Sequence, residues 1–257
     1  MDSGFYSSFS GFAARMDALD LIANNLANAN TTGYKAHHEF YRTLAAAMSS
    51  QPSLLPVGTL HQAVSQSINQ FGVLGGSQLD LAQGTLETTT NETDVALEGS
   101  GFFAVLTKNG VRYTRDGNFS LDKSRNLVTK EGDLVLSVQA NQKNTPIQIP
   151  SGQLSVSQDG TLSVNGALFA KLRIEDFAPG TQLTAEGNTY LVAPAGAART
   201  STAASVRQGM LESSNSDPVR SSIALIDLQR TAQMMERALS IFNNDFDRTA
   251  ALEIPRV

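Results

Sequence analysis

The stretch from Phe5 to Lys35 constrains the fold most, because its apolar residues recur at alternating steps of four and three. We call this series the N-terminal seam, and it consists of Phe5, Phe9, Phe12, Met16, Leu19, Ala23 and Leu26. An average spacing of about 3.5 residues is typical of a helix that packs along another helix. Asparagines, threonines and Gly33 follow Leu26. They favour the end of the helix, since the first two are poor helix formers and glycine accepts a left-handed conformation.

A matching series lies near the other end of the chain. This C-terminal seam consists of Leu225, Leu228, Ala232, Met235, Leu239, Phe242 and Phe246. Asp217 followed by Pro218 predicts the start of its helix, because aspartate caps helices and proline fits their first turn. An ordinary amphipathic helix would explain either seam alone. The two together favour a coiled-coil-like domain built from both terminal helices, packed against each other or against neighbouring copies.

The middle of the chain has the two-residue period of β-strands. Apolar strands flank an Asn109-Gly110 pair, and clean alternation surrounds Asp159-Gly160. Such pairs between alternating strands are strong signals for hairpins. The sequence therefore predicts an antiparallel β domain in the middle of the chain.

These patterns predict an α+β fold in which an antiparallel all-β domain is inserted between N- and C-terminal helices that form a coiled-coil-like domain. Residues 36–48 are compatible with an extension of the first helix or with a second short one, and 49–76 are rich in Ser, Gln, Gly and Pro. The expected domains are an N-terminal helix at 1–35, a linker or extended arm at 36–78, a β domain at 79–205, a return connection at 206–217 and a C-terminal helix at 218–257.

Composition excludes several classes of function. The net charge is -5 with an isoelectric point near 5.2, and no concentrated basic patch exists, so we expect no nucleic-acid partner. The chain has no cysteine and therefore neither disulfides nor thiolate metal sites. No apolar run approaches the roughly 18 residues needed to cross a bilayer, so we expect no membrane insertion. The first residues lack a positive region, and we expect no cleaved secretory signal.

Candidate chemical motifs are weak. Gly99-Ser100-Gly101-Phe102-Phe103-Ala104 fits the spacing of a dinucleotide fingerprint, but that motif opens a helix, whereas a hairpin is predicted here. We interpret it as a glycine turn that admits two phenylalanines to the core. His37, His38 and Glu39 are adjacent, so their side chains diverge and do not converge on one metal ion. We expect no catalytic residue, no cofactor and no metal, and hence no enzyme.

Three asparagines stand at the end of the first predicted helix, at Asn24, Asn25 and Asn28. Buried polar residues beside an apolar seam fix register and partner number in coiled coils, whereas frayed helix ends also collect asparagine. Both interpretations stay open at this point.

The run Leu21–Lys35, LIANNLANANTTGYK, closely resembles the N-terminal motif of bacterial flagellar basal-body rod and hook proteins. Two further regions are similar to that family. The first comprises Thr93–Phe103 and Tyr113–Phe119, which resemble its β domain, and the second is Gly209–Val219, which resembles its lead into the C-terminal helix. The resemblance covers both ends and the middle of the chain, and misses chiefly the arm.

This resemblance implies a structural subunit of the flagellar rod, a drive shaft that transmits torque. It implies terminal helices that pack into the inner tube, with the β domain as an outer layer. The expected partners are copies of itself, other rod and hook-type subunits in a helical assembly, and the flagellar type III export apparatus. The expected location is the periplasm-spanning basal body. The start of the chain and the Asp217-Pro218 entry look more like the proximal-rod type than the distal-rod type. The expected assembly interface comprises both seams with Asn24, Asn25, Asn28, Gly33 and Tyr34.

Overall fold

The computed structural model describes residues 2–42, 73–139, 142–201 and 203–253. Two compact units divide the chain. The first contains the described parts of Met1–Leu26, His37–Gln78 and Pro218–Val257. The second contains Ala27–Ala36 and the described parts of Leu79–Asp217.

The first unit holds two helices and a small sheet. Helix α1 spans Asp2–Ala27 and helix α2 spans Pro218–Glu253. Strands β1, His37–Arg42, and β2, Val73–Leu79, pair with each other. Helix α2 begins at Pro218, whose fixed φ suits the first turn and whose missing N–H would have no helical acceptor there. Neither described helix contains a stretch apolar enough to cross a bilayer.

The predicted fold class is wrong. The described residues contain two helices and nineteen strands, and no coiled-coil pair of N- and C-terminal helices is seen among them. The seam spacing identifies an apolar stripe on each helix, but it does not specify what covers that stripe. Seam residues accordingly differ in burial: Leu228 and Ala232 are buried, whereas Met16 is exposed. Residues 36–48 were compatible with helix, but 37–42 form strand β1. Of the expected linker or arm at 36–78, residues 43–72 lie outside the described residues, while 37–42 are in β1 and 73–78 are in β2.

The second unit is built from strands. Their bounds are β3 Leu86–Thr88, β4 Val95–Glu98, β5 Phe102–Thr107, β6 Gly110–Thr114, β7 Ser120–Leu121, β8 Leu127–Val128, β9 Leu134–Gln139, β10 Gln142–Pro146, β11 Leu154–Val156, β12 Thr161–Val164, β13 Ala167–Lys171, β14 Ile174–Phe177, β15 Thr184–Glu186, β16 Tyr190–Val192, β17 Ala198–Thr200, β18 Ser205–Gln208 and β19 Met210–Glu212.

A ten-stranded sheet forms the centre of this unit, in the order β15-β16-β6-β5-β9-β8-β7, with β10 beside β9, β14 beside β5 and β17 beside β14. A three-stranded sheet has the order β11-β12-β13, and two antiparallel pairs, β18-β4 and β19-β3, complete the unit. The turn signals Asn109-Gly110 and Asp159-Gly160 both lie where antiparallel neighbours turn, between β5 and β6 and between β11 and β12.

Strand β5 is buried on both of its faces. Phe103 and Val105 enter one apolar cluster, while Phe102 and Ala104 enter another, because successive side chains of a strand point to opposite sides. Phe103 meets Phe119 edge to face, with ring centroids 5.2 Å apart. The glycine-rich run before β5 therefore leads into a strand and not into a helix, which excludes the dinucleotide-binding geometry.

Candidate functional site

A buried polar junction in the second unit joins chain segments that are far apart in sequence. It comprises Thr32–Ala36, which follow α1, Ala82–Gly84, Arg115–Asp116, which follow β6, and Glu212–Asn215, which precede α2. The residues that leave one terminal helix and enter the other thus meet on a shared set of hydrogen bonds.

Glu212 lies at the centre of the junction. Its Oε1 accepts hydrogen bonds from Lys35 Nζ at 2.6 Å and from the Gly84 amide at 2.9 Å. Its Oε2 accepts one from Arg115 Nη1 at 3.1 Å, and its backbone carbonyl accepts one from the Gly33 amide at 2.7 Å. The Glu212 side chain is 0% exposed, and those of Lys35 and Arg115 are 3% exposed. One carboxylate therefore binds two buried cations.

The two cations also bind main-chain carbonyls. Lys35 Nζ donates to the Ala82 carbonyl at 2.6 Å, and Arg115 Nη2 donates to the Gly99 carbonyl at 2.6 Å. The Arg115 guanidinium lies over the Phe102 ring, 5.0 Å from its centroid, in a cation–π contact. Burial lowers the pKa of Lys35 and of Arg115, and the charge of Glu212 opposes that shift in both.

Asn215 satisfies main-chain groups from two other segments. Its Oδ1 accepts a hydrogen bond from the Ala36 amide at 2.7 Å, while its Nδ2 donates to the carbonyls of Asp80 and Ala82 at 2.8 and 3.1 Å. A side chain that carries both a donor and an acceptor can bridge two backbones in this way. Asn215 therefore holds the segment after α1 against the segment after β2.

Gly33 permits the close approach on which the junction depends. Its φ is +66°, and a Cβ there would lie 2.2 Å from the Asp116 amide nitrogen. Beside it, the Thr32 hydroxyl donates to Asp116 Oδ1 at 2.9 Å, and the Asn118 amide donates to the same oxygen at 3.0 Å. Burial raises the pKa of Asp116, although these two hydrogen bonds oppose the shift.

The asparagines singled out in the sequence have separate roles within the chain. Asn25 is buried and pairs with the main chain of His37: its Nδ2 donates to the carbonyl at 2.7 Å, and its Oδ1 accepts from the amide at 2.9 Å. Asn28 is buried and accepts from the Thr31 amide and hydroxyl. Asn24 is exposed. Asn25 therefore anchors the start of β1, and Asn28 closes the turn after α1.

The seam residues do not share one environment. Leu228 and Ala232 are buried, Met16 is exposed, and those of intermediate burial are Phe12, Leu19, Ala23, Leu26, Leu225 and Met235. The side chains outside the described set are those of Phe5, Phe9, Leu239, Phe242 and Phe246. Gly33 and Tyr34, also expected in the interface, are buried in the second unit. Across the described residues, no three His, Cys, Asp or Glu side chains are grouped so as to hold a metal ion.

The functional residues predicted from the sequence do not include Lys35, Arg115 and Glu212. Each stands within one of the three motifs quoted above, but Lys35 and Glu212 are 177 positions apart. The signal available in the sequence was a charged residue, Glu212, directly after the apolar pair Met210 and Leu211. Buried charges are rarely tolerated without a partner, so three of them in separate motifs indicate a shared site.

Comparison with known proteins identifies the family. Residues 5–35 match the family described as flagella basal body rod protein, and residues 96–164 match the flagellar hook protein FlgE/F/G D1 domain. These two ranges contain Lys35 and Arg115.

Relatives match over nearly the whole chain. The flagellar basal-body rod protein FlgF of Caulobacter vibrioides is 31% identical, over 96% of this chain and 98% of the relative. FlgF of Mesorhizobium japonicum is 32% identical over 93% of this chain and 95% of its own. The rod protein FlgG of Borreliella burgdorferi is 29% identical over 95% of this chain and 96% of the relative. With this identity over almost its entire length, the chain belongs to the family of flagellar basal-body rod proteins.

Proposed function

We propose that this protein is a structural subunit of the rod in the bacterial flagellar basal body, of the FlgF type, and that it transmits torque as part of the shaft. The buried junction is the observation that carries the proposal. A shaft subunit must pass force between its terminal segments and its β unit without yielding. Within the second unit, three buried ion-pair partners and the two-sided Asn215 bridge join the segments that adjoin the terminal helices to the β-strands through short hydrogen bonds.

The role is mechanical and not catalytic. Charge-assisted hydrogen bonds in a buried site are stronger and more directional than those of exposed surface pairs. Removing one partner of a buried charge pair costs several kcal/mol, so the arrangement opposes local opening under load.

Assembly occurs through the terminal helices. The proposed interface includes the seam residues of α1 and α2, and the proposed partners are copies of this chain together with other rod and hook-type subunits. Head-to-tail contacts that do not close into a ring generate a helical filament, which is the geometry of a rod. The subunit reaches the periplasm-spanning basal body through the flagellar type III export apparatus.

The FlgF type is favoured over the FlgG type by two observations. FlgF relatives from Caulobacter and Mesorhizobium are 31% and 32% identical, and the FlgG of Borreliella is 29% identical. The start of the chain and its Asp217-Pro218 entry also favour the proximal-rod type. FlgG is the second candidate, because FlgG of Caulobacter is 31% identical over 95% of the chain.

Leu26→Asp tests the proposal by placing a charge on the N-terminal seam. We expect a normally folded β unit, loss of the subunit from purified basal bodies and loss of swimming. Leu168→Asp is the control, since Leu168 is 72% exposed on β13 and the same change there should leave incorporation intact. Swimming cells with normal incorporation of Leu26→Asp would contradict the interface.

A further inference from the structure

Helix α2 carries a second apolar surface outside the C-terminal seam. We call it the outer stripe, and it consists of Val219, Ile223, Ile226, Met234 and Ile241. These side chains are between 48% and 67% exposed. At about 100° per residue they fall within an arc of about 80° around the helix. The buried Leu228 and Ala232 lie on the opposite side of the same helix.

Such an arrangement is unusual for a helix on the surface of a soluble protein. An amphipathic helix presents one apolar stripe to its core and polar residues to water. Five large apolar side chains along one exposed arc instead mark a surface that another molecule covers. The outer stripe spans Val219 to Ile241, about six turns of helix, so an elongated partner fits it better than a small one.

The charges in the arc indicate the chemistry of that partner. Arg230 and Arg237 are exposed and lie within the same arc, two turns apart, while Asp227 lies at its margin. A covering surface must therefore offer apolar contacts together with acidic groups. Buried arginines without acidic partners would be costly.

Helix α1 offers such a surface. Ala13, Met16 and Asp20 lie on one face of α1, and all three are exposed; Asp17, also exposed, stands beside them. The small Ala13 allows close approach of another helix, Met16 supplies an adaptable apolar contact, and Asp20 supplies the negative charge. We call Ala13, Met16 and Asp20 the α1 face.

We propose that the outer stripe of α2 in one subunit binds the α1 face of a second copy, with Arg230 or Arg237 paired to Asp20. The inference rests on the proposed rod function and identifies a contact that uses α2 residues outside the seams. The two surfaces differ, so the contact is heterologous, as the subunit contacts of a helical filament are.

The absence of native cysteine makes cross-linking a direct test. Cells would express two differently tagged copies, one with Ile226→Cys and the other with Met16→Cys, and isolated basal bodies would be treated with a short bismaleimide. We expect a cross-linked species that carries both tags. Glu236→Cys replaces Ile226→Cys in the matched control, because Glu236 is exposed on another side of α2, and only background cross-linking is expected there.

The outcomes separate this inference from the proposed function. If both cysteine variants are present in basal bodies but Ile226→Cys cross-links no better than Glu236→Cys, the contact is refuted while the rod function stands. If the subunit is absent from basal bodies altogether, the rod function and this contact are both refuted. A charge swap gives a second measurement: Asp20→Arg should lower incorporation, and Arg230→Asp with Arg237→Asp added to it should restore incorporation. Failure of that rescue in folded protein would also overturn the pairing.

Discussion

Replacing Glu212 with glutamine should cost the β unit much of its stability. Glutamine keeps the shape of the side chain and one acceptor oxygen, but it removes the negative charge that faces Lys35 and Arg115. The two cations would remain in a site where their side chains are 3% exposed. Removal of one partner from a buried ion pair costs about 3–5 kcal/mol, because an uncompensated buried charge is left behind.

Urea unfolding of the purified protein, followed by far-UV circular dichroism, measures that loss. With an m-value of about 2 kcal/mol/M, a loss of about 4 kcal/mol lowers the unfolding midpoint by about 2 M urea. Circular dichroism suits this chain because it contains no tryptophan for fluorescence. The loss is large beside a typical domain stability of about 5–15 kcal/mol.

Glu98→Gln is the matched control. Glu98 pairs with Arg207 at 2.7 Å, but the two side chains are 51% and 41% exposed. Exposed pairs contribute about 0–1 kcal/mol, so the same substitution should hardly move the midpoint. A loss of less than about 1 kcal/mol for Glu212→Gln, as small as that expected for Glu98→Gln, would show that the junction is not a mechanical connection.

Three further predictions concern the residues around the junction and the end of α1. Gly33→Ala should lower the free energy of unfolding in urea by about 2–4 kcal/mol, because the alanine Cβ would meet the Asp116 amide and the backbone φ at this position is positive. An unchanged unfolding midpoint would contradict this. Asn25→Ala should lower the free energy of unfolding by about 1–3 kcal/mol and speed hydrogen exchange at the His37 amide. Unaltered exchange would show that Asn25 does not anchor the start of β1. Burial raises the pKa of Asp116 in the folded state above its unfolded pKa of 3.8, so protonation of this carboxyl favours the folded state. The resulting contribution to the free energy of unfolding is complete below pH 3.8 and is lost as the pH rises through the folded pKa. Asp116→Asn should remove that component, and identical pH profiles for both proteins would contradict it.

Local features of the fold could be predicted from the sequence. The hairpin turns at Asn109-Gly110 and Asp159-Gly160 depend on neighbouring residues, and the alternating pattern around them is visible in the chain itself. The burial of Phe102 and Phe103 after a glycine-rich run was likewise predicted from adjacent residues.

Contacts between distant segments could not be predicted in the same way. The Lys35–Glu212 pair joins residues 177 positions apart, and no local pattern relates them. The seams failed as a guide to the fold class for a related reason, because a spacing on one helix does not identify its partner. The outer stripe is hard to recognise in the sequence because its residues interleave with those of the C-terminal seam along α2.

A density map of the basal body assembled with this subunit would show whether the subunit stands in the rod and what covers its two helices. We expect rod density in which α1 and α2 of each copy are covered by helices of neighbouring subunits, with the outer stripe of α2 against α1 of another copy. A map in which these helices stand in solvent, or in which the rod lacks this subunit, would contradict it.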